Sequence, residues 1–170
     1  MARVRVLILG TYRNGGLEQL KGIRNALVES GISNCRLVSD FYLPPRLDGE
    51  SNYELRKSIH WISQADLLLF VFIAGRDTGG PTIELKHALE DERAQDSIVA
   101  YCESESVSIS SLIKQEVNMW SPAISQKYYQ QEDRLVDLTY GNIISKLERV
   151  YYEILRRPPG DWEQSQPRDP

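Results

Sequence analysis

Continuous apolar runs and runs with a helical period take turns along this chain. "VRVLILG", ending at Gly10, is rich in β-branched residues and leucine and predicts a buried strand. After the loop "GTYRNGG", the segment "LEQLKGIRNALVES" sets Leu17, Leu20, Ile23, Ala26 and Leu27 on one stripe, which predicts a helix stopped by Gly31. "NCRLVSDF" predicts a second strand, and "YLPPRLDGES" an irregular loop, since two prolines and a glycine deny it either period. "NYELRKSIHWISQ" carries Leu55, Ile59 and Ile62 at helical spacing and leads into a third strand, "ADLLLFVFI". A helix from Pro81 to about Arg93 follows, with a fourth strand in "DSIVAYCES" and a short helix in "SISSLIKQEV". A weaker fifth strand is expected near "KYYQQED" or "RLVDL", before the long closing helix "YGNIISKLERVYYEILRR".

Strands alternating with helices mean a parallel sheet covered on both faces. The expected fold is α/β: a single-domain flavodoxin- or Rossmann-like parallel sheet of four to five strands, with helices on both faces, over residues 1–157. Residues 158–170, "PPGDWEQSQPRDP", hold four prolines and one aromatic residue and are expected to form a disordered tail.

Composition narrows the class. At 170 residues, 41% hydrophobic and 26% charged, the chain is the size of one soluble domain with a proper core. A net charge of −4 argues against nucleic acid as the main partner. The two cysteines, Cys35 and Cys102, fall in predicted strands and read as packing residues of a reducing compartment. "MARVRVLILG" has no cleavage-site pattern, and the longest apolar run is about half a membrane span, so a cytoplasmic protein away from membranes is expected.

In an open parallel sheet, ligands bind beyond the carboxyl ends of the strands. Two unusual loops fall there. "GTYRNGG" offers Thr11, Tyr12 and Arg13 as side-chain donors, with Gly10, Gly15 and Gly16 leaving backbone bare before a helix N-terminus that suits a phosphate. Its spacing is neither the dinucleotide fingerprint nor a Walker A loop. In "GRDTGGPTIELKHALE", Pro81 suits the first helical position, Gly80 permits close backbone approach, and Glu84 falls about one turn inside, where the helix dipole favours its ionised form. The same residues also describe a plain glycine turn and a favourable helix charge. His60 and His87 have no partner at metal-ligand spacing, and neither a metal nor a cofactor is expected.

Taken together these motifs resemble the nucleoside 2-deoxyribosyltransferase superfamily, most closely its 2′-deoxynucleoside 5′-monophosphate N-glycosidase branch. "GTYRNGG" is similar to that branch's phosphate loop with Asn14 inserted, "HWISQADLLLFVF" to its helix and "QAD" strand, and Gly80 with Glu84-Leu85 to its nucleophile motif. The resemblance implies that Glu84 attacks the anomeric carbon of a nucleotide, forming a glycosyl-enzyme that water or a second base resolves. It implies that Thr78 lies near the sugar, that Ser110 in "SISSLIK" completes the phosphate site, and that the chain forms a homodimer.

Two positions depart from the pattern. The aspartate that serves the family as acid for the leaving base is here Ser58, and a usual tyrosine is Leu7. A serine is a poor general acid. Either Asp77 or His60 takes that role, or the leaving base needs no proton, as a nicotinamide-type cation would not, or the chemistry is lost. The alternatives are a non-catalytic nucleotide-binding or sensing module and, by likeness of fold, a TIR-like NAD glycohydrolase.

Overall fold

The computed structural model describes residues 4–41, 53–73, 79–91, 94, 98–102, 125–128, 141 and 144. Among the described residues there are five parallel strands, β1 (Val6–Gly10), β2 (Cys35–Leu37), β3 (Leu67–Phe72), β4 (Ile98–Cys102) and the polar β5 (Ser125–Tyr128). Their order across the sheet is β2-β1-β3-β4-β5. The register pairs Ile8 with Leu37 on one side of β1 and with Leu69 on the other.

Among the described residues three helices are complete enough to place on this sheet: α1 (Gly16–Glu29), α2 (Tyr53–Ile62) and α3 (Gly79–Glu90). The chain turns one way from β1 to β2 and the other way from β2 to β3 and β4. Right-handed crossovers therefore place α1 on one face and α2 with α3 on the other. The pleat sorts the side chains to match. Val6, Ile8, Leu67, Leu69 and Val71 meet Leu20, Ile23 and Leu27 of α1. Leu7, Leu9, Leu68, Phe70 and Phe72 meet Trp61, Ile62, Leu85, Ala88 and Leu89 of α2 and α3. Leu7, where the resemblance has a tyrosine, is thus wholly buried in the core.

Gly31 stops α1 as expected. It sits at φ 95, its N–H donates to the Val28 carbonyl, and the Ile32 N–H donates to the Leu27 carbonyl. This left-handed helix end satisfies the last carbonyls while Ile32 packs in the same cluster as Leu27.

Three elements differ from the sequence reading. β2 is shorter than "NCRLVSDF", because Asp40 captures the Leu37 N–H at 2.7 Å and pairs with Arg24 of α1 at 2.8 Å, turning Val38–Asp40 into a single 3-10 turn. α2 is rotated relative to its expected stripe: Ser58, Trp61 and Ile62 are buried, whereas Ile59 is exposed. Trp61 stacks on Phe41 with ring centroids 3.9 Å apart, which orients the helix. β5 begins before "KYYQQED", at Ser125. Gly141 and Ile144 are helical, and the rest of the closing helix, the "SISSLIKQEV" helix and the tail lie outside the described residues.

The amino ends of β1 and β3 are clamped together. The Asp66 carboxylate, 8% exposed, accepts from the Arg5 backbone N–H at 2.8 Å and from its Nε at 3.4 Å. The Arg5 carbonyl in turn accepts from the Asp66 and Leu67 N–H groups. Asp66→Ala leaves the half-buried Arg5 donors without that carboxylate. It is expected to lose about 2 kcal/mol of stability, which thermal melting would read as a drop of about 4–8 °C. An unchanged melting temperature would show that the clamp contributes nothing net.

Candidate active site

At the carboxyl end of β1 the chain is confined by close packing. A Cβ on Gly10 would lie 2.9 Å from a Leu20 methyl and 3.0 Å from the Val71 carbonyl oxygen, so only glycine leaves the strand here without displacement. Thr11 is buried beyond it. Asn14 and Gly15 both take left-handed conformations, at φ 53 and φ 83. Asparagine tolerates that region, which accounts for the extra residue in the loop. The Gly16 N–H then closes a turn on the Arg13 carbonyl at 3.0 Å, and a Cβ on Gly16 would overlap the Thr11 carbonyl oxygen.

The reversal of strand order falls between β1 and β3, where a crevice opens. A cleft of about 370 Å³ is lined there by Leu9, Gly10, Thr11, Tyr12, Arg13, Val38, Glu54, Ser58, Gly80, Pro81 and Glu84. The loop after β1, the turn after β2, and helices α2 and α3 each contribute a wall.

Glu84 and Ser58 face each other across this cleft. The Ser58 hydroxyl donates to the Glu54 carbonyl oxygen at 3.1 Å, one turn back along α2, and lies near enough to the Glu84 carboxyl to influence its titration. Burial pushes the Glu84 carboxyl up to about 7, with the Ser58 hydroxyl pulling the other way. This corrects the expectation that the helix dipole holds Glu84 ionised. Glu84 is the sixth residue of α3, beyond the first turn where the dipole acts, and desolvation dominates. A carboxyl group held near neutrality in a cleft is the environment of a reacting group.

Tyr12 forms the wall between the two faces. Its ring packs against both core clusters, and its hydroxyl oxygen accepts from the Ser39 N–H at 3.3 Å. Burial, with the Glu84 charge adding to it, pushes the phenol up to about 12 against the Ser39 and Val38 hydrogen bonds. Tyr12 is thus a neutral, anchored surface.

Of the residues singled out in the sequence, Gly10, Thr11, Tyr12, Arg13, Ser58, Gly80 and Glu84 share this cleft. Gly15 and Gly16 are not among its lining residues. They were expected to present bare N–H groups, yet the Gly16 N–H is engaged in the turn and both glycines serve the shape of the loop. Among the described residues nothing lies within 4 Å of a Cβ on Gly80, so none of them makes the close approach expected there. His60 is exposed, edge-on to Trp61, and does not line the cleft. Asp77, Thr78 and Ser110 lie outside the described residues. Glu54 and Val38 were not foreseen. Glu54 follows Tyr53 at the start of an amphipathic helix, where a carboxylate reads as a first-turn charge, and only tertiary packing turns it to the cleft.

Burial pushes the Cys35 thiol up to about 12, which leaves it an unreactive packing residue. Among the described residues no group of three or more His, Cys, Asp or Glu side chains is placed to hold a metal ion, and no helix is long and apolar enough to cross a membrane.

Neither a protein-family model nor a curated protein matches the chain. Among solved structures it is similar to the Clostridium botulinum CMP N-glycosidase BcmB, with a TM-score of 0.53 over 79% of this chain and 96% of that one. At 14% identity this likeness concerns the fold.

Proposed function

We propose that this chain is a nucleotide N-glycosidase that cleaves the bond between base and sugar of a nucleoside or deoxynucleoside 5′-monophosphate, with Glu84 as nucleophile. The observation that carries this reading is the pairing of Glu84 with Ser58 in a cleft at the strand-order reversal, walled by the Gly10–Arg13 loop. The neighbouring fold named as a CMP N-glycosidase supports the reaction class.

In the first half-reaction a Glu84 oxygen attacks the anomeric carbon on the face opposite the base, and the carbon–nitrogen bond electrons leave with the base. Ser58 lines the same cleft beside the carboxylate. In the second half-reaction water attacks the same carbon, and the Glu84 carboxylate is released. Arg13 meets the phosphate at the mouth of the loop, and the anchored Tyr12 ring presents a fixed surface. A cleft of this size suits one small ligand.

The test is chromatographic detection of free base from deoxynucleoside monophosphates, ribonucleoside monophosphates, the matching nucleosides and NAD. Base release from a monophosphate is expected to exceed release from its nucleoside. Arg13→Ala should erase much of that preference by raising KM roughly 10- to 100-fold. Release from NAD alone would favour a glycohydrolase of dinucleotides. If monophosphates raise the melting temperature but no substrate is turned over, the site is a binding module.

A further inference from the structure

A base that is not already cationic leaves a sugar poorly unless it gains a proton as the bond breaks. Ser58 stands beside the nucleophile, and a hydroxyl group is too weak an acid for that task. The described lining of the cleft contains one carboxyl group besides Glu84, and it is Glu54.

Resting on the function proposed above, we propose that Glu54 is the proton donor to the departing base and the base that activates water afterwards. Glu54 precedes Ser58 by four residues on α2, so the two share one face of the helix. Ser58 hydrogen-bonds back to the Glu54 main-chain carbonyl at 3.1 Å, and both residues line the cleft that Glu84 also lines. The Gly10–Arg13 loop and Glu84 account for the phosphate and the anomeric carbon. Glu54 is the charged side chain left among the lining residues for the third part of a nucleotide, the base.

The balance is that of a two-step hydrolysis. As a Glu84 oxygen bonds to the anomeric carbon, the glycosidic electron pair goes to the base nitrogen, and the Glu54 proton goes to the base. Glu54, now a carboxylate, takes a proton from water as the water oxygen bonds to the anomeric carbon and the Glu84 ester bond breaks. The products are free base and sugar phosphate, and both carboxyl groups return to their starting states.

The test compares leaving groups. Glu54→Gln and wild type are assayed on the neutral-base monophosphate that wild type turns over fastest and on 7-methyl-2′-deoxyguanosine 5′-monophosphate, whose base is already cationic. The variant is expected to lose about 10²-fold or more in kcat with the neutral base and less than about fivefold with the cationic one. Glu54→Asp, which keeps a carboxyl group on the same wall, should restore part of the loss on the neutral substrate. If wild type rejects the 7-methyl substrate, the loss on the neutral base and its partial recovery in Glu54→Asp decide. An equal loss on both substrates, no loss on either, or no recovery in Glu54→Asp overturns the assignment and leaves the Glu84 reading standing. Absence of base release by wild type from every substrate removes the Glu84 reading itself, and this assignment with it. The melting temperature of Glu54→Gln, expected within a few degrees of wild type, separates loss of the proton donor from loss of the fold.

Discussion

Glu84→Gln is expected to abolish base release and, above pH 7, to make the protein more stable. Loss of the nucleophile should reduce kcat by roughly 10³-fold or more, since an amide neither attacks the anomeric carbon nor leaves it as a carboxylate does. The stability gain follows from the raised pKa. The Glu84 carboxyl titrates near 7 in the folded chain against an ordinary value of 4.5. Between those values the folded state binds the extra proton, so its stability declines as pH rises from about 4.5 through about 7. Above that window the folded protein carries an ionised carboxylate in a desolvating cleft, a penalty on the order of 3 kcal/mol.

Glutamine has the shape of the protonated acid without the charge. The variant should therefore match wild type in melting temperature near pH 4 and exceed it by about 6–12 °C at pH 8. The same ionisation sets the acidic limb of activity: kcat/KM of wild type should fall about tenfold per pH unit below 7 as the nucleophile is protonated. Equal melting temperatures of wild type and variant at pH 8 would show that Glu84 is not desolvated. Undiminished base release by the variant would remove Glu84 from the reaction.

The second large effect is expected at Gly16. An alanine there drives a methyl group into the Thr11 carbonyl oxygen, and a backbone atom at the buried end of β1 has no room to retreat. The loop between them must open. A loss of about 1–3 kcal/mol is expected from overpacking. Displacing Arg13 and Tyr12 by even about 1 Å should lower kcat/KM by roughly 100-fold. Gly31→Ala is the control. A Cβ at Gly31 meets nothing within 4 Å, and the strain comes only from its φ of 95. It should lose roughly 1–2 kcal/mol while keeping wild-type turnover. Urea unfolding and base release on both variants test the pair, and a Gly16→Ala protein with wild-type kcat/KM would show that the loop geometry is not what positions the substrate.

β1, α1 and β3 were legible because each buries its apolar pattern in the way its period announces. Leu20, Ile23 and Leu27 face the sheet, and every residue of Leu67–Phe72 is buried. α2 was legible as a helix but not in its orientation. An apolar stripe through Ile59 was the natural expectation, yet the stacked Trp61 and a polar cleft wall turn Ser58 inward instead. β2 ended early because a side chain five positions past its start, Asp40, competes for its backbone and is itself held by Arg24 of a different element.

The site divides in the same way. Glu84 and the loop after β1 stood out by local pattern, since glycines and a charge near a helix start are visible in one dimension. The rise of the Glu84 pKa was not visible, because desolvation is a property of the neighbours that β1, the loop after it, the turn after β2 and α2 bring. Glu54 was hidden for the opposite reason: a charge at a helix start is commonplace, and nothing adjacent to it in sequence reveals the cleft.

The Arg5–Asp66 clamp sits at the amino ends of β1 and β3, and the cleft opens at their carboxyl ends. Three residues of β1, Val6, Leu7 and Ile8, separate what fixes the register from the first residue that lines the cleft, Leu9. Such a scaffold is favourable ground for diversification: wall residues at one pole can be exchanged for others that accept a different molecule, while the opposite pole keeps the strands aligned. A chain of this design can drift far in its chemistry, and far in sequence, before its architecture changes.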